Sequence, residues 1–193
     1  SYGMETYLRL NRVYNANTFR EWLNVYLKEQ FIYTDALAIK MLYEYLNDNN
    51  LRSVYELDRL ITVQCVAKES RNAGKLVASR MIKLFMELYD IDLLKNYDEK
   101  LRKKECFGHP ALVFGMLMYS LGFNLEEAII YHMYSTISTL ISNAVRTIPL
   151  GQKDGQILLK EFIEEAGKLY DVVINLDYDY FGANSPGLEL SQI

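Results

Sequence analysis

Proline and glycine are scarce in this sequence: three prolines and ten glycines in 193 residues, most of them beyond residue 100. A turn-rich β fold needs both at short intervals, so their scarcity favours long helices. Cysteine is scarcer still. Cys65 and Cys106 are too few for a disulfide framework and form no CxxC pair, which points to a reduced, cytosolic protein. Histidine occurs only at His109 and His132, outside any HExxH or ExxH pattern. Positive charge is not in excess. The net charge is −4, and no Lys/Arg stripe interleaved with aromatics offers a nucleic-acid surface. Strand-like alternation of useful length and repeats of solenoid period are also missing.

Catalytic motifs are equally hard to find. There is no GxSxG, and no Ser or Cys has an implied His partner in a known pattern. Gly151-Gln152-Lys153-Asp154-Gly155-Gln156 is glycine-bearing, but it lacks the GxxxxGK[ST] order and follows a helical pattern instead of a strand. It reads as a tight turn, with the glycines at positive φ and Asp154 capping the next helix. Cys106 and His109 stand three apart and are the candidate metal ligands. Nothing near them in sequence supplies a third or fourth ligand, so no complete site is encoded within one chain. The plainer reading places His109 near a helix start and His132 in the interior, hydrogen-bonded. Glu126-Glu127 suit the positive end of a helix dipole. Glu164-Glu165 and Asp177-Tyr178-Asp179-Tyr180 read as solvated faces.

What is present is helical. Half of the residues are hydrophobic and 24% are charged, a globular composition for one domain with a substantial core. Thr18-Phe19-Arg20-Glu21 has the form of a capping box. Behind it Phe19, Trp22, Leu23, Tyr26, Leu27 and Phe31, then Leu37, Met41, Leu42 and Tyr45, recur at helical spacing. This predicts one long helix, or two in line, ending at Asn47-Asp48-Asn49-Asn50. A shorter helix follows from Leu51 to Cys65. Glu69 to Tyr89 carries an apolar stripe of Ala73, Leu76, Val77, Met81, Leu84, Phe85 and Leu88. Asp90 to Glu105 is polar enough for a solvated helix or loop.

The second half is distinctive. Pro110 suits a first helical turn, Ala111 to Leu121 is apolar nearly all round, and Gly122 is a natural stop. Asn124 can cap a new helix with Glu127, giving an antiparallel hairpin in which Gly115 lets another backbone approach. Ala128 to Val145 contains no charged residue. It is long enough to span a membrane but too rich in Ser, Thr, His and Asn to do so alone. Such a helix is expected to be buried on nearly all sides, by its own fold or by a second subunit, with Tyr134 as a candidate interface residue. Ile157 to Leu176 reads as one more amphipathic helix, and Asp177 to Ile193 as a tail that stays mobile until something holds it. Sixteen tyrosines suit interfaces as well as core edges.

Several blocks together resemble one family. Ser1-Tyr2-Gly3-Met4-Glu5-Thr6-Tyr7 resembles the SYGLETY stretch near the N-terminus of urease accessory protein F (UreF). Glu69-x-Arg71-x-x-Gly74 is similar to the family's E-x-R-x-x-G helix. Gly108-His109-Pro110-Ala111-x-Val113-x-Gly115, followed by Leu121-Gly122, is similar to its GH-x-x-x-V-x-G…LG block. Ala144-Val145-Arg146-x-Ile148-Pro149-Leu150-Gly151-Gln152-x-Asp154-Gly155-Gln156 resembles its AVR-x-(I/V)PLGQ-x-DGQ signature. Ser185-Pro186-x-Leu188-Glu189-Leu190 resembles the start of its C-terminal motif. The blocks fall in family order.

The resemblance implies an all-α, single-domain bundle of roughly eight to ten helices. It implies a non-enzymatic scaffold without a cofactor, acting as a homodimer that bridges urease accessory protein D (also called H) to the GTP-hydrolysing accessory protein G. That assembly would deliver nickel to apo-urease. Arg146, Gly151, Gln152, Asp154, Gly155 and Gln156 are the signature residues expected to support the partner-facing surface. The sequence opens without Met, a basic n-region or an apolar h-region, and family members continue at both ends. Residues 1–193 are therefore read as one domain lacking native terminal segments. Two other readings stay open: an unrelated helical homodimeric scaffold, or a helical enzyme with a site near Asp177 to Tyr180.

Overall fold

The computed structural model describes residues 4–65 and 68–182. Ser1–Gly3 and the Ser185–Leu190 block lie outside them. Among the described residues ten α-helices follow one another: α1 (Met4–Arg9), α2 (Ala16–Val25), α3 (Leu37–Asn47), α4 (Leu51–Gln64), α5 (Lys68–Leu88), α6 (Asp92–Arg102), α7 (Pro110–Ser120), α8 (Leu125–Thr147), α9 (Gln152–Glu164) and α10 (Ala166–Ile174). A π-helical segment, Tyr26–Ala36, joins α2 to α3, and a short 3-10 turn covers Tyr178–Tyr180. No strand occurs among the described residues. The fold is all-α, as expected.

The predicted long helix from Thr18 to Leu46 exists, but its middle is π-helical, so the Leu37 N–H reaches back to the Ile32 carbonyl. Its cap lies one turn earlier than predicted. The Thr18 N–H donates to Asn15 Oδ1 (2.9 Å) and the Asn15 N–H to Thr18 Oγ1 (3.1 Å), so Thr18 is the third helical residue, not the cap.

Helix α3 is the hub, packing against α4, α7, α8 and α10. Helix α7 lies among α3, α5, α6 and α8. It has no polar side because it has no free side: Ala111, Leu112, Val113, Gly115, Met116, Leu117 and Met118 are all buried. Gly115 is where α7 crosses α3. A Cβ there would stand 2.6 Å from Leu42 Cδ2, closer than any side chain tolerates.

The hairpin forms as its stop-and-cap signals require. Gly122 (φ 83°) ends α7, with the Phe123 N–H donating to the Met118 carbonyl and the Gly122 N–H to that of Tyr119. The Glu127 N–H then donates to Asn124 Oδ1 and the Asn124 N–H to Glu127 Oε2, both at 2.9 Å.

Two apolar stripes divide between core and surface. The α5 stripe is divided: Met81 and Phe85 pack half-buried against the core beside the buried Ala78 and Ile82, while Leu76, Val77, Leu84 and Leu88 stay exposed. Within one chain, its own fold covers helix α8 on one side. Ala128, Ile129, Met133, Ile137, Leu140, Ile141 and Ala144 are buried, while Tyr131, Tyr134, Ser135, Thr139 and Ser142 are exposed. No helix among the described residues is long and apolar enough to cross a membrane.

The chain past α10 is not loose where it is described. Lys40 Nζ donates to the carbonyls of Ile174 (3.1 Å) and Leu176 (2.8 Å), and Tyr45 meets Tyr178 edge-on. The Gln64 amide donates to the Phe181 carbonyl at 3.2 Å, and the Gly182 N–H to that of Tyr33 at 2.7 Å. Tyr178 is therefore part of a clasp, not a solvated face.

Candidate functional site: the outer face of α8 and the polar spine behind it

The signature block wraps the end of α8 and the start of α9. Arg146 lies in the last turn of α8, exposed, and donates to Asn143 Oδ1 at 2.6 Å. Gly151 is the N-cap residue of α9, at φ −69° and ψ 154°. Gln152, Asp154 and Gln156 are exposed on the first turns of α9. Neither glycine of the block uses positive φ, and Asp154 caps nothing. It is an acid in the first helical turn, where the helix dipole favours it. Gly155 acts through its size. It is buried, and a Cβ on it would come within 2.8 Å of Ile141 Cγ2, so α9 lies on α8 only because that side chain is absent.

Tyr134, Ser135, Ser138, Thr139, Ser142 and Arg146 line one shallow groove along the outer face of α8. The groove brings Tyr134 and Arg146 together. The α9 residues Gln152, Asp154 and Gln156 are not part of it. The face is uncharged except at its Arg146 end, and its side chains are short apart from Tyr134. A second helix can approach such a surface closely where it offers hydrogen-bond partners to the hydroxyls.

Behind that face runs a chain of buried polar groups. His132 points inward from α8, with Nε2 2.8 Å from Asp35 Oδ2 and its ring between Phe31 and Phe114 (centroids 5.6 and 5.4 Å away). Burial pushes the Asp35 carboxyl up, but the bond from His132 and the nearby His109 outweigh it and hold the group below its usual range. His109 is the N-cap residue of α7. Its Nδ1 accepts from the Ala111 N–H at 3.2 Å, and burial lowers its pKa. On its other side Asp58 organises the approach to α7. It accepts from the N–H groups of Phe107 (2.7 Å) and Gly108 (2.9 Å) and from the Tyr97 hydroxyl. Burial, then Asp58, raises Tyr97 well above its usual value.

The candidate ligand pair sits in this spine. Cys106 is buried, and burial together with Asp58 pushes its thiol up to about 12, the opposite of a ready thiolate. His109 has its Nδ1 committed to the helix start. Among the described residues no three His, Cys, Asp or Glu side chains converge as a metal site would require. Near Asp177 to Tyr180 both aspartates are exposed, and Tyr178 packs on Tyr45 and Lys40.

Asp35, Asp58 and Tyr97 were not singled out in the sequence, although a signal was available for Asp58. It sits between Val54, Leu57, Ile61 and Thr62 on the buried side of α4, an acid on an apolar stripe. Asp35 is hidden by the π-helical segment, which shifts the spacing that would place it.

Fold and site together define an all-α helical module with an uncharged outer face and polar groups spent on holding the fold. The UreF family model matches residues 13–163. The chain is 41% identical to urease accessory protein UreF of Streptococcus salivarius (strain 57.I), over all 193 of its residues and 81% of that protein. It is 40% identical over the same span to UreF of Streptococcus thermophilus (strain ATCC BAA-491 / LMD-9). Identity to UreF of Lachnoclostridium phytofermentans is 34%, over the whole chain and 85% of that protein. The chain belongs to the UreF family of urease accessory proteins, which are accessory proteins and not enzymes.

Proposed function

We propose that the chain is a scaffold for urease maturation in the cytoplasm. As a homodimer it bridges urease accessory protein D (H) to the GTPase accessory protein G, and so supports GTP-dependent nickel insertion into apo-urease. The observation that carries this reading is family membership over the whole chain, joined to the uncharged groove on α8 beside the signature block. Dimerisation through that groove covers Tyr134, which is 50% exposed in the single chain. A two-fold interface there sets short side chains against short side chains and avoids burying like charges.

The test is reconstitution from purified proteins. Apo-urease, nickel, GTP and proteins D and G are combined with and without the chain, while GTP hydrolysis is followed for each component alone. Urease activity should require the chain, and hydrolysis should require protein G. Turnover by the chain alone, or full activation in its absence, overturns the proposal. Tyr134→Asp should shift the sedimenting species from dimer to monomer at micromolar concentration, and an unaffected dimer removes Tyr134 from the interface. Gly155→Val, which forces α9 away from Ile141, should impair complex formation. A folded Gly155→Val protein with full activation overturns the supporting role of the signature block.

A further inference from the structure

The start of α7 is tied down in two ways, and acid acts on them differently. One tie is the Asp58 carboxylate, which accepts from the N–H groups of Phe107 and Gly108 at 2.7 and 2.9 Å. The other is the His109 imidazole. Pro110 brings no N–H, and the Leu112 and Val113 N–H groups both reach the His109 carbonyl at 3.1 Å. That leaves the Ala111 N–H, which donates to His109 Nδ1 at 3.2 Å. A helix start is ordinarily capped by an oxygen of Ser, Thr, Asp or Asn, none of which titrates near neutrality. Here the acceptor is a ring nitrogen that does.

That bond fixes the tautomer. A neutral imidazole carries one N–H and one acceptor nitrogen, so Nδ1 accepts from Ala111 only with the proton on Nε2. A second proton goes to Nδ1 and sets one N–H against another. It also places a full positive charge at the end of α7 where the helix dipole is already positive. The surroundings do not cancel this. Burial and His132 of α8 oppose the charged ring, Asp35 of the π-helical segment and Asp58 of α4 favour it, and burial prevails. On the other sides the His109 backbone N–H faces the Tyr97 oxygen of α6, and Cys106 stays a neutral thiol, pushed up to about 12. Lys75 of α5 lies over the Phe107 ring, 4.9 Å from its centroid, and Lys40 of α3 is turned to the end of α10. Among the described residues no metal-binding group of three side chains includes His109.

We propose that His109 is an acid-released cap: neutral, it holds the first turn of α7 closed, and protonated, it lets that turn open while the rest of the bundle stays folded. Asp58 sets where the opening stops. Its carboxylate keeps Phe107 and Gly108 in place, and Gly108 turns the chain at φ 91°, so the segment that comes free begins at His109. Opening there loosens the contact of the Phe114 and His132 rings, 5.4 Å between centroids, and through it the polar spine behind α8. A capping Asn holds such a turn equally at any pH near neutrality, and histidine does not. The opened turn has the ordinary imidazole pKa and the closed turn a lower one, so opening is favoured as pH falls below about 6.5. The device does not depend on the chain's partners.

The test uses the isotope-labelled full chain. Long-range proton–nitrogen spectra at pH 7.5 should show His109 as the Nε2–H tautomer, and an Nδ1–H ring overturns the proposal. Amide exchange is then followed at pH 7.5, 6.5 and 5.5, corrected for the intrinsic effect of pH, with and without a low concentration of urea. Protection at Ala111, Leu112 and Val113 should fall about three- to tenfold between pH 7.5 and 5.5, about tenfold being the limit for one group of ordinary pKa about 6.5. It should be insensitive to urea, as local opening is, while the most protected amides of α3 and α8 respond to urea as global unfolding does. A fall smaller than about twofold, or a urea dependence equal to that of α3 and α8, overturns the local opening. His109→Asn keeps an acceptor for Ala111 without a titrating ring, so its protection should stay level over the same range. A fall that persists in His109→Asn assigns the effect to the Asp35–His132 pair and likewise overturns the proposal. The tautomer and the exchange of the unaltered chain need no substitution, so both can refute the proposal even where the variant fails to fold.

Discussion

Helix α5 and helix α7 are both rich in leucine, valine and methionine, and they have opposite fates. Helix α7 is walled in by α3, α5, α6 and α8, and glycine at position 115 is what allows α3 to lie against it. Helix α5 leans chiefly on α7 and α6, buries Ala78 and Ile82, packs Met81, Phe85 and Met86 half-buried against the core, and shows Leu76, Val77, Leu84 and Leu88 to solvent. Apolar surface on α7 stabilises the fold, whereas apolar surface on the outside of α5 adds nothing to the stability of the single chain.

The sharpest way to break this comparison is to place the same charge on each side of it. Leu140→Asp, at a fully buried position of α8 facing the same core as α7, should cost about 5 kcal/mol or more and leave little folded protein. Retention of a cooperative thermal transition near the original temperature contradicts that. Gly115→Val comes next. Its added carbons meet Leu42 at the α3–α7 crossing, and overpacking of this kind costs about 1–3 kcal/mol, read as a drop in the urea midpoint. An unchanged midpoint means that α7 can move away from α3 freely.

Acid sharpens the picture around the same hairpin. The pKa values of His109 and Asp35 are both lowered in the folded chain, so the unfolded chain binds protons more readily at each site. Stability should therefore fall as pH drops, first below about 6.5 through His109 and again below about 4 through Asp35. Urea midpoints at pH 7.5, 5.5 and 3.5 check this. His109→Asn keeps an N-cap acceptor for α7 and should flatten the upper step, and a midpoint that rises on acidification reverses the assignment. The smallest effect is expected on α5. Leu84→Asp should alter stability by no more than about 0.5 kcal/mol. A larger loss means that the stripe is packed in the free protein.

Helix positions were legible wherever local chemistry decides them. Gly122 and Asn124 fix the turn between α7 and α8 through hydrogen bonds within six residues, and Pro110 marks the start of α7 for an equally local reason. The cap of α2 was misplaced by one turn because Asn15 and Thr18 cap reciprocally, and Thr18-Phe19-Arg20-Glu21 matches the same pattern three residues later. The π-helical segment left no local trace. It is accompanied by the pairing of Asp35 with His132, ninety-seven positions away along the chain.

For the candidate site, the sequence displayed the signature block and the uncharged run on α8, but not the reason for Gly155. Its lack of a side chain matters because Ile141 lies across from it, and only packing brings the two together. Composition, helical periodicity, the turn between α7 and α8 and family membership were thus determined by the sequence alone, since each rests on neighbours along the chain or on its similarity to relatives. Which apolar stripe faces inward was decided by the tertiary structure. A hydrophobic pattern says that a face avoids water, and only the count and placement of surrounding helices says whether this chain has anything to cover it.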